Sequence, residues 1–242
     1  FIFLFRISSF IFSKYSPLDI YLKIETLSSI CKGIKKMNDF TWLSKEQENN
    51  IFDDGFDNSS SSSKNKLEVL NNKIYFYCNV NHVNNLHLNK ELKTLESKLI
   101  TSRELLETDT TAPIHLHISS YGGSVFAGFS TIDYILKSKV PVTTIIDGCA
   151  ASAATMMRIC GSTRLMHEHA FMLIHQLSSM SWGKYEELKD SMQNNDLLMD
   201  TIKNLYIERT KIPKKELNEM LKRDLWWDAK TCLKYGLIDE II

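Results

Sequence analysis

The sequence predicts an α/β fold in which parallel strands are joined by crossover helices. Two segments carry the same pattern: a short apolar strand runs into a turn of small residues and then into a helix. The first is 114–119 followed by Gly122 and Gly123, and the second is 140–147 followed by the Ala-rich turn around Ser152. Strands and helices that alternate in this way are typical of βαβ units. Functional groups on such sheets lie at the carboxyl ends of the strands, which are these two turns.

Composition sets the other elements along the chain. The segment 73–80 is rich in β-branched and aromatic residues, which favours a strand, and 89–106 is rich in Leu, Lys and Glu, which favours a helix. Apolar residues recur at helical spacing from about 184 to 210, so a long helix is expected there. The remaining expected elements are a helix at 124–138, a tight turn and buried helix at 148–161, strands at 163–166 and 170–175, a helix at 214–223 that Pro213 opens, and a short helix stopped by Gly236 before a final strand.

One folded domain is predicted at 67–242, after an N-terminal tail. The run 57–66 is polar and rich in Ser and Asn, so it is expected to be the flexible linker that ends a variable, disordered tail at 1–66. The chain opens on Phe1, and Met37 is the residue at which we expect translation to start. A targeting segment is the alternative, because basic residues outnumber acidic ones there.

Charge and cysteine content exclude several classes of function. Lys and Arg total 29 and Asp and Glu total 29, so a net charge of +0 offers no attraction for nucleic acid or for an anionic membrane. The five cysteines are far apart and include no CxxC pair, which argues against a disulfide framework and a structural zinc site. A reducing compartment fits best, either the cytoplasm or, as the alternative, an organelle matrix. No metal or other cofactor is expected.

Three places carry residues suited to catalysis, and none is decisive alone. Ser152 follows a predicted strand and starts a helix among alanines, where backbone N–H groups can stabilise an oxyanion, although a helix N-cap is the commoner role. His175 ends an apolar strand, where it can face a cleft or be a buried, hydrogen-bonded histidine. Gly122 and Gly123 either allow the close approach of a ligand backbone or form an ordinary turn.

Four motifs together resemble the proteolytic subunit of Clp protease. They are, in chain order, SSYGGSV at 119–125, GCAAS at 148–152, FMLIHQ at 171–176, and RDLWWDA followed by YGLIDE at 223–240. The resemblance covers about residues 68–242 and is strongest from 114 onward. It implies the Clp/crotonase-like α/β fold, built from repeated β-β-α superhelix units with a protruding handle helix at 184–210.

The resemblance implies a serine endopeptidase that hydrolyses peptide bonds of unfolded proteins. Ser152 would be the nucleophile, His175 its base and Asp224 the residue that orients His175. The backbone N–H groups of Gly123 and Ala153 would form the oxyanion hole. Expected partners are further copies of the chain, in stacked pairs of heptameric rings, and an AAA+ ATPase unfoldase. A peptide substrate would bind as an added strand, along Gly122, Ser124, Val125, Gln176 and Leu177.

Several positions depart from the family pattern. Leu177 stands where the family usually has Pro, in the expected substrate-binding segment. His115 and His117 replace the usual aromatic residues on one strand face, which weakens the expectation of a standard ATPase docking cleft. With His167 and His169 they form two His-x-His pairs. A metal site is one interpretation of these pairs, and solvated or interface histidines are the interpretation that we favour.

Three other functions stay open on the sequence alone. A non-catalytic structural ring subunit would be expected to lose triad members, but all three candidates are present. An acyl-CoA hydratase or isomerase of the same fold would rely on Glu or Asp bases and would not need Ser152 and His175. A peptidase with Ser-Lys chemistry would need a lysine near Ser152, and His175 is the better candidate for the base.

Overall fold

The strands lie in one mixed sheet, and helices pack on it. A computed structural model describes residues 66–242. The strands of this part are β1 (Lys66–Leu70), β2 (Lys73–Tyr77), β3 (Ile114–Ser120), β4 (Val142–Ala151), β5 (Thr163–Met166), β6 (Phe171–Leu173), β7 (Trp226–Asp228) and β8 (Glu240–Ile241). The helices are α1 (His82–Leu105), α2 (Val125–Leu136), α3 (Ala153–Arg158), α4 (Tyr185–Arg209), α5 (Lys214–Met220) and α6 (Ala229–Lys234).

Most neighbouring strands are parallel, as the alternating pattern predicts. The order is β1-β2-β3-β4-β5-β8, and the strands from β2 to β8 in this order are parallel to one another. Strand β4 divides its pairing, because residues 143–146 pair with β5 and residues 149–151 pair with β6. Gly148 lies between the two halves with φ +78, which glycine adopts without steric cost. The split leaves the end of β4 beside β6, close to the candidates Ser152 and His175.

The described part opens with a β-hairpin that the sequence analysis did not predict. Strands β1 and β2 pair antiparallel through a two-residue turn of Asn71 and Asn72. Asn71 has φ 56, as tight hairpin turns require, and asparagine tolerates this conformation. Strand β1 begins at Lys66, the last residue of the expected linker. Residues 1–65, with Met37 and most of that linker, lie outside the described residues, so the tail stays a prediction.

Two element boundaries differ most from the predicted ones. The first long helix begins at His82, well before the expected residue 89, because the Asn81 side chain caps it by accepting the N–H of Asn84 at 2.8 Å. The small-residue segment after the apolar half of β4 was expected to be a tight turn, but the strand continues to Ala151. Its pairing with β6 holds that segment extended. Strand β7, which is 3 residues long, also escaped the prediction.

The core lies between the sheet and the helices α1, α2 and α3. In β3 every second residue is buried, and Ile114, Leu116 and Ile118 are fully enclosed. The intervening His115 and His117 share the opposite face of the strand, as the two-residue period predicts. The Ala-rich helix α3 is buried along its whole length, so its small side chains allow it to pack closely against α2.

Helix α4 packs on the rest of the domain through its C-terminal part. Ile202 and Tyr206 are its buried residues, whereas Tyr185, Leu188 and Met192 are exposed. The predicted apolar stripe is therefore covered only in the second half of the helix, as expected of a protruding handle. In the described part of the chain, no helix is both long enough and apolar enough to cross a membrane.

Candidate active site

Ser152 forms a strained turn between β4 and α3. Its backbone angles are φ 53 and ψ −127, a region that non-glycine residues rarely occupy and that costs about 1–3 kcal/mol. Within residues 66–242 its side chain makes no capping hydrogen bond to α3. The alternative role of Ser152 as a simple N-cap therefore loses its main support. A strained strand-to-helix turn that carries a serine is typical of a nucleophile.

The pairing of β6 brings the three candidate triad residues to one region. Strands β4 and β6 run parallel, and the N–H of Ser152 donates to the Leu173 carbonyl at 3.0 Å. On its other side β6 pairs antiparallel with β7, with Leu173 opposite Trp226. Extending that register by two residues puts His175 opposite Asp224. The sheet itself therefore sets where the three side chains lie.

His175 and Asp224 form an ion pair when the imidazole is protonated. Nδ1 of His175 lies 3.2 Å from Oδ1 of Asp224, and the two side chains are 14% and 69% exposed. Burial lowers the pKa of His175 below its ordinary value of 6.5, and the nearby carboxylate of Asp224 opposes this shift only in part. The imidazole is therefore neutral near pH 7, and with Nδ1–H directed at Asp224 its Nε2 can accept a proton.

Gly122 and Gly123 lie where side chains would not fit. A methyl group on Gly122 would be 2.7 Å from the Ala151 carbonyl oxygen and 2.7 Å from Cβ of Ser152, closer than such atoms pack. On Gly123 it would overlap the carbonyl oxygen of Val80. Both residues also have positive φ, 95 for Gly122 and 141 for Gly123. Glycine is therefore needed at both positions, and Gly122 lies directly against the Ser152 turn.

Gly123 directs its backbone groups away from Val80. Val80 donates its N–H to the Gly122 carbonyl at 2.8 Å and accepts the N–H of Ser124 at 2.7 Å, with Gly123 as its bridge partner. Successive residues of an extended segment direct their backbone groups to opposite sides, so the N–H and C=O of Gly123 point away from Val80. The N–H of Ala153, at the start of α3, has no acceptor within its own helix. These are the two predicted oxyanion donors.

Ser124 and Val125, two of the predicted substrate-binding residues, are committed to the fold. The Ser124 N–H is bound by Val80, and its side chain accepts the N–H of Ala127 as the cap of α2. The Val125 side chain is 2% exposed and packs in the core. Both side chains therefore support the fold, and the outward backbone groups of this segment include those of Gly123.

Gln176 and Leu177 continue the chain beyond β6. Gln176 is exposed and Leu177 is half-buried. The Gln176 N–H donates to the Leu221 carbonyl at 2.7 Å, and the Leu177 N–H lies 3.0 Å from the sulfur of Met199 in α4. The segment after His175 is thus held on one side by the C-terminal end of α5 and by the middle of α4. Its exposed side stays available for a substrate.

One histidine of each His-x-His pair contacts the carboxylate of Asp147. His117 and His167 contact Asp147 at 2.8 and 3.2 Å, and Tyr77 donates its hydroxyl to the same carboxylate at 2.6 Å. Burial raises the pKa of Asp147, but the hydrogen bonds from His117 and Tyr77 outweigh burial, and the pKa is lowered. Within the part of the chain that the structure describes, no group of three side chains is suited to hold a metal. His117 thus hydrogen-bonds Asp147, and His167 lies at ion-pair distance from the same carboxylate.

Two residues that contact the Ser152 turn escaped the sequence analysis. The Leu173 carbonyl is a backbone group, and no side-chain pattern marks it. Thr155 donates to the Ser152 carbonyl both from its N–H, at 3.0 Å, and from its hydroxyl, at 2.6 Å. A threonine three residues after another residue in a helix can bond back to it in this way, so the sequence held a signal for Thr155.

Comparisons with known proteins agree on one family. The Clp protease family model matches residues 71–242. The ATP-dependent Clp protease proteolytic subunit of Nephroselmis olivacea is 34% identical over 139 residues, which cover 57% of this chain and 67% of the relative. The ATP-dependent Clp protease proteolytic subunit 2 of Treponema denticola is 34% identical over 152 residues, which cover 62% of this chain and 76% of the relative.

A solved structure shares the fold. A point mutant of ClpP1 from Listeria monocytogenes has a TM-score of 0.61 at 24% identity, and the match covers 71% of this chain and 91% of that one. This likeness confirms the predicted Clp/crotonase-like α/β fold. The family match also spans the turn of Ser152 and the contact of His175 with Asp224. This chain therefore belongs to the Clp protease family, a family of serine peptidases.

Proposed function

We propose that this chain is the proteolytic subunit of a Clp-type complex and that Ser152, His175 and Asp224 form its catalytic triad. The observation that carries the proposal is the convergence at the end of β6. The Ser152 turn is bound to Leu173, and two residues further on His175 meets Asp224 at 3.2 Å. A nucleophile, a base and an orienting carboxylate in one place are what acyl transfer requires. The proposed reaction is hydrolysis of peptide bonds in unfolded proteins.

The first step is attack by the Ser152 hydroxyl oxygen on the carbonyl carbon of the scissile bond. Nδ1 of His175 holds its hydrogen toward Asp224, so Nε2 takes the proton from Ser152 as the new C–O bond forms. The N–H groups of Gly123 and Ala153 stabilise the negative charge on the substrate oxygen. The C–N bond then breaks, and His175 returns the proton to the leaving amine. Water, deprotonated by His175, hydrolyses the acyl ester.

The peptide substrate is expected to bind as an extended strand. The outward C=O of Gly123 offers it a backbone hydrogen bond, beside the N–H that binds the oxygen of the scissile carbonyl. Gly122 keeps this side of the groove clear of side chains, and the exposed edge of Gln176 and Leu177 lines the other. Recognition through backbone groups suits a peptidase that accepts many unfolded sequences.

The assembly that we propose is a homo-oligomer of heptameric rings stacked in pairs and served by an AAA+ ATPase unfoldase. Exposed apolar side chains support association with further copies. Helix α4 exposes Tyr185, Leu188 and Met192, and at the end of α1 Leu105 and Leu106 are 79% and 72% exposed. Apolar groups in such numbers are typical of surfaces that meet another protein.

The peptidase domain is proposed to be 67–242, preceded by a variable tail, and to work in the cytoplasm or, as the alternative, in an organelle matrix. The cysteines of the described part are free thiols. Burial raises the pKa of Cys78 to about 12, which keeps this thiol protonated and unreactive. Free thiols in this number fit a reducing compartment.

Cleavage assays on the full chain test the proposal. The assembled oligomer is expected to cleave a fluorogenic peptide and, with an AAA+ unfoldase and ATP, an unfolded protein. Ser152→Ala should abolish both activities without changing the oligomer mass in analytical ultracentrifugation. Ser191→Ala, at a half-buried position of α4, is the matched control and should keep both. An assembled wild-type oligomer that cleaves nothing would favour the alternative, a non-catalytic structural ring subunit.

A further inference from the structure

The strained turn of Ser152 needs something to hold it. A non-glycine residue at φ 53 persists only where the surroundings fix it. On one side the Ser152 N–H is bound by the Leu173 carbonyl at 3.0 Å. On the other side the Ser152 carbonyl accepts both the N–H of Thr155, at 3.0 Å, and the Thr155 hydroxyl, at 2.6 Å. The Thr155 side chain therefore contributes one of the few hydrogen bonds that hold the backbone of Ser152.

The Thr155 hydroxyl has a second partner in helix α4. It lies in contact with the hydroxyl of Tyr206, and both side chains are buried, with 0% of Thr155 and 2% of Tyr206 exposed. A threonine hydroxyl has one hydrogen, and the Ser152 carbonyl can only accept, so this hydrogen goes to Ser152. Tyr206 must then be the donor to Thr155. Burial raises the pKa of Tyr206, so the phenol keeps the hydrogen that it donates.

These contacts form a one-way chain of hydrogen bonds from Tyr206 through Thr155 to Ser152. Tyr206 is one of the two buried residues of α4, so it sits where that helix is anchored on the domain. Hydrogen bonds in a buried chain polarise and strengthen one another. The hydroxyl of Tyr206 therefore improves the bond that Thr155 makes to the turn, although Tyr206 itself does not reach Ser152.

We propose that Thr155 and Tyr206 are positioning residues for the nucleophile: through the Ser152 carbonyl they hold the backbone angles that aim its hydroxyl at the substrate. The proposal rests on the proposed role of Ser152. Thr155 acts directly on the turn, and Tyr206 acts through Thr155. Neither residue touches substrate, so their removal should lower kcat and leave KM nearly unchanged.

Hydroxyl-deleting variants of the full chain test this. Thr155→Val keeps the shape of the side chain but removes its hydroxyl. It is expected to lower kcat by about tenfold or more, because small displacements of a reacting group are costly. The second-order rate constant for labelling of Ser152 by a fluorophosphonate should fall by the same factor. Thr155→Ser keeps the hydroxyl and should restore most of the rate. Tyr206→Phe leaves the hydrogen bond of Thr155 to Ser152 in place, so kcat and the labelling rate constant should fall only about fivefold.

The matched control is Thr144→Val. Thr144 is also 0% exposed, and its hydroxyl donates to the Arg158 carbonyl at 2.8 Å, at the opposite end of α3. This variant loses the same kind of buried bond and should lower the melting temperature about as much as Thr155→Val, while the labelling rate stays at the wild-type value. Equal labelling rates in Thr155→Val and wild type would overturn the proposal, as would an equal loss of rate in Thr144→Val.

Hydrogen exchange separates this proposal from the proposed catalytic role of Ser152. The amides of residues 150–157 should exchange faster in Thr155→Val than in Thr144→Val, whether or not the chain is an active peptidase. A wild-type oligomer that does not label would contradict the role of Ser152 as nucleophile. Unchanged exchange at 150–157 in Thr155→Val would instead contradict the role of Thr155 in holding the turn.

Discussion

Gly122→Ala is expected to remove most of the activity by displacing the nucleophile. The new methyl group would lie 2.7 Å from both the Ala151 carbonyl oxygen and Cβ of Ser152, and 3.0 Å from the Ala153 nitrogen. Ordinary contacts between such atoms are about 3.5–4.0 Å, so the Ser152 turn or the Gly122 segment must move by about 1 Å. A shift of that size in a catalytic group costs about 10²-fold in rate. The positive φ of 95 adds about 1–3 kcal/mol of backbone strain.

The assay for Gly122→Ala is kcat/KM for a fluorogenic peptide, measured with thermal unfolding on the same assembled sample. Gly128→Ala is the matched control, because its methyl group would meet Cβ of Ala153 at 3.6 Å and the Met156 methyl at 3.7 Å, which are ordinary contacts. Gly128 lies inside α2, where alanine is more favourable by about 0.5–1 kcal/mol. Gly128→Ala should therefore stay active and unfold at an equal or higher temperature. Full activity in Gly122→Ala would show that a methyl group at this position does not displace Ser152.

Three further outcomes are expected. Asp224→Asn removes a charge that raises the pKa of His175, so the acidic limb of the kcat/KM profile against pH should move further below 6.5. The value of kcat should also fall by about 10²- to 10⁴-fold. An acidic limb that does not move would contradict the contact of Asp224 with His175. Arg158→Ala deletes a fully buried guanidinium that donates to the Leu237 carbonyl. The free energy of unfolding, measured in urea at fixed protein concentration, should therefore fall by about 3–5 kcal/mol. A fall below about 1 kcal/mol would contradict this. Asp147 has a folded-state pKa below its ordinary 3.8, so its carboxylate stabilises the fold above that pH and loses this effect as the pH falls through the folded-state value. In Asp147→Asn the difference in melting temperature between pH 7 and pH 3 should therefore shrink, and an unchanged difference would argue against it.

The strands that sequence analysis found are those whose own residues favour a strand. The segments at 114–119 and 163–166 contain apolar or β-branched residues, and the structure has strands there. The end of β4 was missed because Gly148, Cys149 and Ala150 have little strand propensity, and their extended form depends on pairing with β6. Such pairing joins residues distant in sequence, which local composition does not reveal.

The candidate site was predictable only as a set of motifs. Ser152 and His175 each had an ordinary alternative role, and it was the order of four motifs that favoured catalysis. The contact of His175 with Asp224 depends on the register of β6 with β7, and β7 is too short to be predicted from composition. The contact of Thr155 with Tyr206 joins two helices that are distant in sequence, so no local pattern predicts it.

The most direct test of the central claim is to find which residue of the assembled full chain reacts with a fluorophosphonate. The labelled protein would be digested and the modified residue located by mass spectrometry. A single modification is expected on Ser152, and it should be absent from Ser152→Ala and form much more slowly in His175→Ala. Ser191→Ala should be labelled like the wild type. An assembled ring that takes up no label, or that is labelled on another serine, would contradict the claim that Ser152 is the nucleophile.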